Sequence, residues 1–247
     1  MAKKVLLAGE SWISYTTHIK GFDAFYTSDY NSGEKWIKAS LERGGYDFDF
    51  MPNHLVIEHF PHTVEELSKY SCIILSDVGS NTLLLPMATF VRSEQKPNRC
   101  TAIRDYVLSG GSLLMIGGYL TFSGVDAKGR WGKTDVQEVL PVKVLDIDDR
   151  CEHSEGVAPV LVKQHKALEK ISGPWPKFLG YNKTEPLPGS DIVMTINGDP
   201  FIAFAKHGKG KSAVFTSDCA PHWGPPSFVE WELHDSVWQG IVGYLTE

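Results

Sequence analysis

Gly110-Gly111-Ser112-Leu113-Leu114-Met115-Ile116-Gly117-Gly118-Tyr119 holds a helix stop, a strand and a tight turn in one short run. Residues 98–109 ahead of it read as a helix, which the glycine pair ends. Ser112 to Ile116 shows no polar alternation, as expected of a parallel strand covered on both faces. The Gly117-Gly118-Tyr119 turn then stands at the strand's C-terminal end. The same grammar recurs upstream. Val5 to Gly9 reads as a first strand, residues 33–43 as a helix closed by Gly44-Gly45, Tyr46 to Met51 as a second strand, residues 64–69 as a short helix, and Ser71 to Ser76 as a third strand ending at Asp77. Strands alternating with helices predict an α/β doubly wound, mostly parallel sheet with helices on both faces. Residues 10–31, rich in Tyr, Thr, Ser and Phe, read as a long functional loop.

Beyond residue 124 the periodicity loosens. Residues 124–190 read as a loop-rich insertion within a single domain spanning residues 1–247. Ile192–Ile196, Phe201–Lys206 and Ser212–Thr216 follow, joined by Asn197-Gly198-Asp199-Pro200 and by His207-Gly208-Lys209-Gly210-Lys211, and read as an antiparallel extension near the C-terminus. Residues 235–245 read as a closing helix. Trp231 and Trp238, seven apart, are expected on one face of it, and Trp223 in a stiff, exposed loop before Gly224-Pro225-Pro226.

Composition narrows the function. The 247 residues carry 24 Lys+Arg against 30 Asp+Glu, a net charge of −6, so the basic footprint of a nucleic-acid binder is missing. No stretch is apolar enough to span a membrane. The N-terminal apolar run is too short for a signal peptide, and Cys72, Cys100, Cys151 and Cys219 show no CxxC spacing, so a cytoplasmic chain with reduced thiols is expected. No cofactor is implied. Cys219-x-x-His222 and His59-x-x-His62 offer metal-ligand pairs without further partners, so no metal site is expected.

In an open parallel sheet the binding crevice lies beyond the C-terminal strand ends. Four segments should meet there: Gly9-Glu10-Ser11-Trp12, Ser76-Asp77-Val78-Gly79, Gly117-Gly118-Tyr119 and Ser217-Asp218-Cys219-Ala220-Pro221-His222-Trp223. The candidate ligand-binding residues are Glu10, Ser11, Asp77, Gly117, Gly118 and Trp223. The candidate catalytic residues are His222, Asp218 and Tyr119. An Asp218–His222 pair could orient an imidazole base, and Cys219 could be a thiolate nucleophile activated by His222. Trp12 and Trp223 could stack on an apolar ligand face. Gly208-Lys209-Gly210-Lys211 lacks a following helix start and reads as a hairpin turn.

Ser76–Leu85, Gly110–Tyr119, Leu140-Pro141-Val142, Asp148-Asp149-Arg150 and Ser217–Gly224 together resemble the glutamine amidotransferase-like family, a branch of the class I glutamine amidotransferase-like superfamily. The resemblance implies a flavodoxin-like fold with its site at the elbow after the fourth strand. Active superfamily members carry a cysteine in that elbow and a histidine followed two residues later by glutamate. Tyr119 falls at the cysteine's position, and Gly224 stands two residues after His222. A phenol, with a pKa near 10, does not replace a low-pKa thiolate. Three expectations follow. The chain could bind a small polar molecule, a sugar or nucleoside for example, without being a working glutaminase. It could be a hydrolase of replaced mechanism, with His222 as base, Asp218 as orienter and glycine-turn N–H groups holding an oxyanion. Or it could be a non-catalytic homo-oligomeric assembly protein.

Overall fold

A computed structural model describes residues 2–247. Its elements run β1 (Lys4–Gly9), β2 (Ser11–Lys20), β3 (Asp23–Ser32), α1 (Lys35–Arg43), β4 (Asp47–Pro52), α2 (Asn53–His59), α3 (Val64–Leu67), β5 (Cys72–Ser76), α4 (Ser80–Leu84), α5 (Met87–Arg92), α6 (Arg99–Leu108) and β6 (Ser112–Ile116). Then come β7 (Val142–Val144), β8 (Arg150–Val157), β9 (Val160–Leu161), β10 (Phe178–Asn182), β11 (Thr184–Pro186), β12 (Asp191–Ile196), β13 (Asp199–His207), β14 (Gly210–Phe215), α7 (Pro226–Val229) and α8 (His234–Leu245). The central sheet has the order β4-β1-β5-β6-β14-β13-β12-β9. Its first five strands are parallel, in the flavodoxin-like 2-1-3-4-5 arrangement. The chain winds one way from β1 to β4 and the other way from β5 onward, so the topological switch lies between β1 and β5.

Alternate residues of each strand enter opposite cores. Val5, Leu7, Ile74, Leu114 and Ile116 pack under α1 and α8, and Leu6, Ala8, Ile73, Leu75 and Met115 under α2, α3 and α6. Covering on both faces is why these strands are continuous apolar runs. Asn98 caps α6 through the Cys100 and Thr101 amides, and Thr63 and Glu66 form a capping box on α3.

Four expectations need correction. Residues 10–31 are not a loop: β2 and β3 form a long antiparallel hairpin outside the central sheet. β14 is not part of the antiparallel extension alone, because it pairs parallel with β6 and antiparallel only with β13. The extension therefore begins at β13, through the Asn197-Gly198 turn, and ends at β9. Trp231 precedes α8 and packs on Trp175 at 5.3 Å, while Trp238 is fully buried on that helix. Trp223, expected in an exposed loop, is buried, and its indole N–H donates to Glu152 Oε2 at 2.9 Å. Its side chain turns inward because Gly180 leaves room against the indole ring.

Residues 124–190 hold several short helical turns and two strand pairs, β10-β8 and β11-β7. Trp131, from this region, is fully buried and donates its indole N–H to the Val78 carbonyl at 2.8 Å, tying the region to the end of β5. The Gly208-Lys209 segment is the turn between β13 and β14.

Where β1 ends, Gly9 has φ +112°, and a Cβ there would collide with the Ser76 carbonyl. Both features demand glycine. The Gly9→Ala variant is expected to lose about 3 kcal/mol or more of stability. Urea unfolding followed by circular dichroism checks this; a midpoint equal to that of the parent chain would contradict it.

Candidate functional site

Since β1, β5, β6 and β14 are neighbours in the sheet, their C-terminal ends deliver Glu10, Asp77, Tyr119 and residues 218–222 to one place. They surround a cavity of about 430 Å³ lined by Glu10, Trp12, Asp77, Tyr119, Leu120, Val125, Asp218, Pro221 and His222. Two of its acids follow strands in strained backbone. Glu10 has φ +48° and Asp77 φ +44°, a left-handed conformation that costs non-glycine residues of order 1–3 kcal/mol. The strain is held by bonds across the switch point. The Glu10 amide donates to the Ser76 carbonyl at 2.8 Å, and the Ser76 hydroxyl donates to Glu10 Oε2 at 2.5 Å.

The turn after β6 is stitched down from both sides. Gly118 N–H donates to Asn182 Oδ1 at 2.9 Å, and Asn182 Nδ2 donates to the Gly118 carbonyl at 3.1 Å and to Asp149 Oδ1 at 2.8 Å. Asp149 also accepts from the Ser123 and Gly124 amides. The Gly117 amide bonds the Phe215 carbonyl, and the Leu120 amide bonds Asp77 Oδ1. These three turn amides are thus already spent within the protein. The expected oxyanion role for glycine-turn N–H groups does not survive this arrangement.

Glu10 and Asp218 are almost wholly buried, and Asp77 is partly so. Burial first, then the charges of Asp218 and Asp77, pushes the Glu10 carboxyl well above its usual range. Burial and Asp218 push Asp77 up to about 6. Asp218 is also raised by burial, against the pull of His222. Asp149 rises to about 6 through burial, despite its amide and Asn182 donors. His222 sits at the rim. Burial lowers its pKa, but Asp218, Glu152 and Asp77 outweigh that and raise it. Its Nδ1 lies 3.7 Å from Asp218 Oδ2, an ion-pair distance beyond hydrogen-bond range. An imidazole so placed favours its charged form, which donates protons more readily than it accepts them.

Tyr119 is a wall of the cavity. Its ring meets His222 edge-on at 4.5 Å and lies under Arg150 at 4.7 Å, while its hydroxyl donates to Glu152 Oε1 at 3.1 Å. Burial and Glu152 raise its pKa further. Trp223 backs Tyr119 at 5.7 Å from outside the cavity lining. Ser11 is buried in structural bonds to Asn53, its hydroxyl accepting from the Asn53 amide and its carbonyl from Nδ2. Gly117 is packed against Thr216, away from the lining.

Cys219 is fully buried, and burial with the Glu10 and Asp218 charges raises its thiol pKa well above normal. That is the opposite of an activated thiolate. Glu10, Asp218 and Cys219 do bring ligand atoms within 4.8 Å of one another, a set that could hold a cation. The sequence pair Cys219 and His222 does not occur together in it. His62 instead meets Arg99 Nη2 at 2.8 Å. Asp148 is paired with Arg150, and Glu152 is taken by Tyr119 and Trp223, so both acids are occupied by internal bonds. Among the described residues no helix is long and apolar enough to cross a membrane.

Asn182, Leu120 and Val125 complete the site without being candidates from sequence, and Asp149 joins them. Asp149 lay in a stretch that carried the family resemblance, which was the available signal. Asn182 ends β10 in a segment without periodicity, and had none.

Two solved structures are similar over essentially the whole chain. Cytoplasmic protein STM3548 of Salmonella typhimurium is 43% identical, with 98% of each chain covered and a TM-score of 0.94. Cytoplasmic protein STM1381 of Salmonella typhimurium LT2 is 42% identical, with 99% of this chain and 100% of that one covered and a TM-score of 0.95. A ThuA-like protein of Bacteroides uniformis, 10% identical over 97% of this chain and 89% of its own with a TM-score of 0.54, shares the fold alone. No curated protein matches. The family model described as "Putative glutamine amidotransferase" matches residues 4–247. On that match and on the two relatives above 40% identity, the chain belongs to the glutamine amidotransferase-like family.

Proposed function

We propose that this protein binds a small, hydroxyl-rich polar molecule such as a sugar in the strand-end cavity, and that it is not a working glutaminase. The observation that carries the reading is the meeting of Glu10, Asp77, Asp218 and His222 with Trp12 and Tyr119 around one cavity. Carboxyl groups accept hydrogen bonds from ligand hydroxyls, and the protonated ones also donate. His222, its pKa raised by Asp218, Glu152 and Asp77 against the effect of burial, supplies a ring N–H donor. Trp12, half exposed at the cavity edge, offers an aromatic face to the apolar side of a ring. Glutaminase chemistry needs an activated thiolate at the elbow. Tyr119 stands there with its hydroxyl engaged by Glu152, and Cys219 is buried with a raised pKa. The hydrolase alternative is less well supported, because the amides at Gly117, Gly118 and Leu120 are occupied and His222 is biased toward its charged form.

A thermal-shift panel of sugars, nucleosides and amines tests the reading. At least one sugar is expected to raise Tm in the parent chain, and the shift should vanish in both Trp12→Ala and Glu10→Gln. A panel in which only nucleosides or only amines bind would reassign the ligand class. In the same preparations, ammonia release from glutamine should equal the protein-free background. Robust glutamine turnover that disappears in His222→Ala would sink the non-glutaminase part.

The Asp77 carboxyl gives a pH-dependent outcome. In the unfolded chain it ionises near its ordinary 3.8, but in the folded chain only at about 6. Between those values the folded state binds the extra proton, so stability falls as pH rises through the window and stays lower above it. Asp77→Asn removes this cost while keeping an acceptor for the Leu120 amide. The variant is therefore expected to gain roughly 2–3 kcal/mol over the parent chain at pH 8, and under about 1 kcal/mol at pH 4. Chemical denaturation at the two pH values measures the difference; an equal effect at both would contradict the assignment.

A further inference from the structure

We propose that the β2–β3 hairpin is an association arm whose bare apolar face is covered by the same face of a second copy of this chain. The register places Ser14 opposite Asp29, His18 opposite Phe25 and Lys20 opposite Asp23 on one face, and Ile13 opposite Tyr30, Thr17 opposite Tyr26 and Ile19 opposite Ala24 on the other. Directly opposed residues of an antiparallel pair share a face, so the hairpin is amphipathic. Its charged residues, Lys20, Asp23 and Asp29, all fall on the first face. That face is also internally engaged: His18 stacks on Phe25 at 4.5 Å and meets Thr27 Oγ1 at 3.3 Å.

The second face carries Ile13, Tyr15, Ile19, Tyr26 and Tyr30, which are 50%, 79%, 74%, 75% and 51% exposed. Phe22 stands wholly exposed at the tip, where Gly21 with φ +64° takes the turn position that tolerates it. A two-stranded hairpin is marginally stable in water by itself, and an antiparallel sheet normally packs its apolar face. Here the arm is tied to the body near its base, through Ser11 and Asn53 and through Tyr30 edge-on to His54 at 5.4 Å. The base of the apolar face continues into a groove shared with α2 and α4, lined by Ile13, Tyr30, His54, Ile57 and Thr82.

Area and charge select the occupant. At roughly 200 Å² for each fully exposed side chain, these residues leave on the order of 800 Å² in water, which is what one partner contributes to a stable interface. The apolar face contains no charged residue. Two identical faces can therefore meet about a two-fold axis without like-charge repulsion, although the chain as a whole carries a net charge of −6. A partner of opposite charge would find nothing to pair with on that face.

Sedimentation velocity and light scattering of the full chain, at tens of micromolar, test this. The expected species is a dimer of twice 27.5 kDa. Tyr15→Ser with Tyr26→Ser should raise the dimer dissociation constant at least about tenfold. Far-UV circular dichroism of the central sheet should be unchanged, because both side chains are about three-quarters exposed and lie outside that sheet. Ser14→Lys on the opposite face should leave the dimer intact. The inference is overturned by a single-chain mass for the parent protein, by an apolar-face variant that stays dimeric, or by an equal loss of dimer in Ser14→Lys.

Discussion

Asn182 grips the turn after β6 by both backbone groups of Gly118 while Asp149 holds Asn182 and the Ser123 and Gly124 amides. From the other side, Asp77 takes the Leu120 amide. This double clamp fixes the floor of the cavity and decides what chemistry that floor can offer. Buried amides must find acceptors, and here the acceptors are the protein's own side chains. A turn that spends its donors internally is a rigid shelf, whereas a turn that leaves two amides free is an anion trap. The same fold can supply either, and the difference lies in side chains arriving from β5 and β10.

The clamp also explains why the acids tolerate one another. Asp77 is held by a turn amide, Glu10 by Ser76, and Asp218 by the Ala220 amide, so each buried carboxyl keeps at least one donor. One donor each is too little to offset burial, and the three pKa values rise. The groups act on one another as well: Asp218 and Asp77 raise Glu10, Asp218 raises Asp77, and His222 pulls Asp218 and Asp77 the other way. Carboxyl groups with raised pKa values can donate as well as accept hydrogen bonds, the property the proposed hydroxylated ligand would use. The left-handed backbone at Glu10 and Asp77 is part of the same cost: stability is given up at the strand ends to aim two acids into one space.

The parallel strands were legible because burial on both faces leaves a continuous apolar signature, and Ser112–Ile116 is bounded as the sequence suggested. Pairing direction was not legible. Ser-Ala-Val-Phe in β14 suits a parallel or an antiparallel neighbour equally, and its partner β6 lies far upstream, beyond a long region without period. Glu10, Asp77, Tyr119, Asp218 and His222 could be brought together on paper, because the switch-point rule places strand ends without reference to side chains. Asn182 could not, since the clamp depends on where β10 lands. The burial of Trp223 is not legible for a related reason: neighbouring prolines indicate stiffness but not direction, and it is Gly180, distant in sequence, that makes room for the indole.

The hairpin shows the limit from the other side. Ile13, Tyr15, Thr17 and Ile19 alternate with polar residues, a period-2 pattern present in the chain, yet the segment resembles a loop because it is polar overall and no core in the monomer claims its apolar half. Alternation normally reports burial within the same chain. Where that pattern stands without burial, as in Ile13, Tyr15 and Ile19, the proposed second copy would supply the missing surface. Trp12 sits at the base of this arm, on the face opposite the apolar one, and reaches the cavity. In the proposed dimer, packing that steadies the hairpin would therefore also steady one wall of the cavity, because both draw on the same strand.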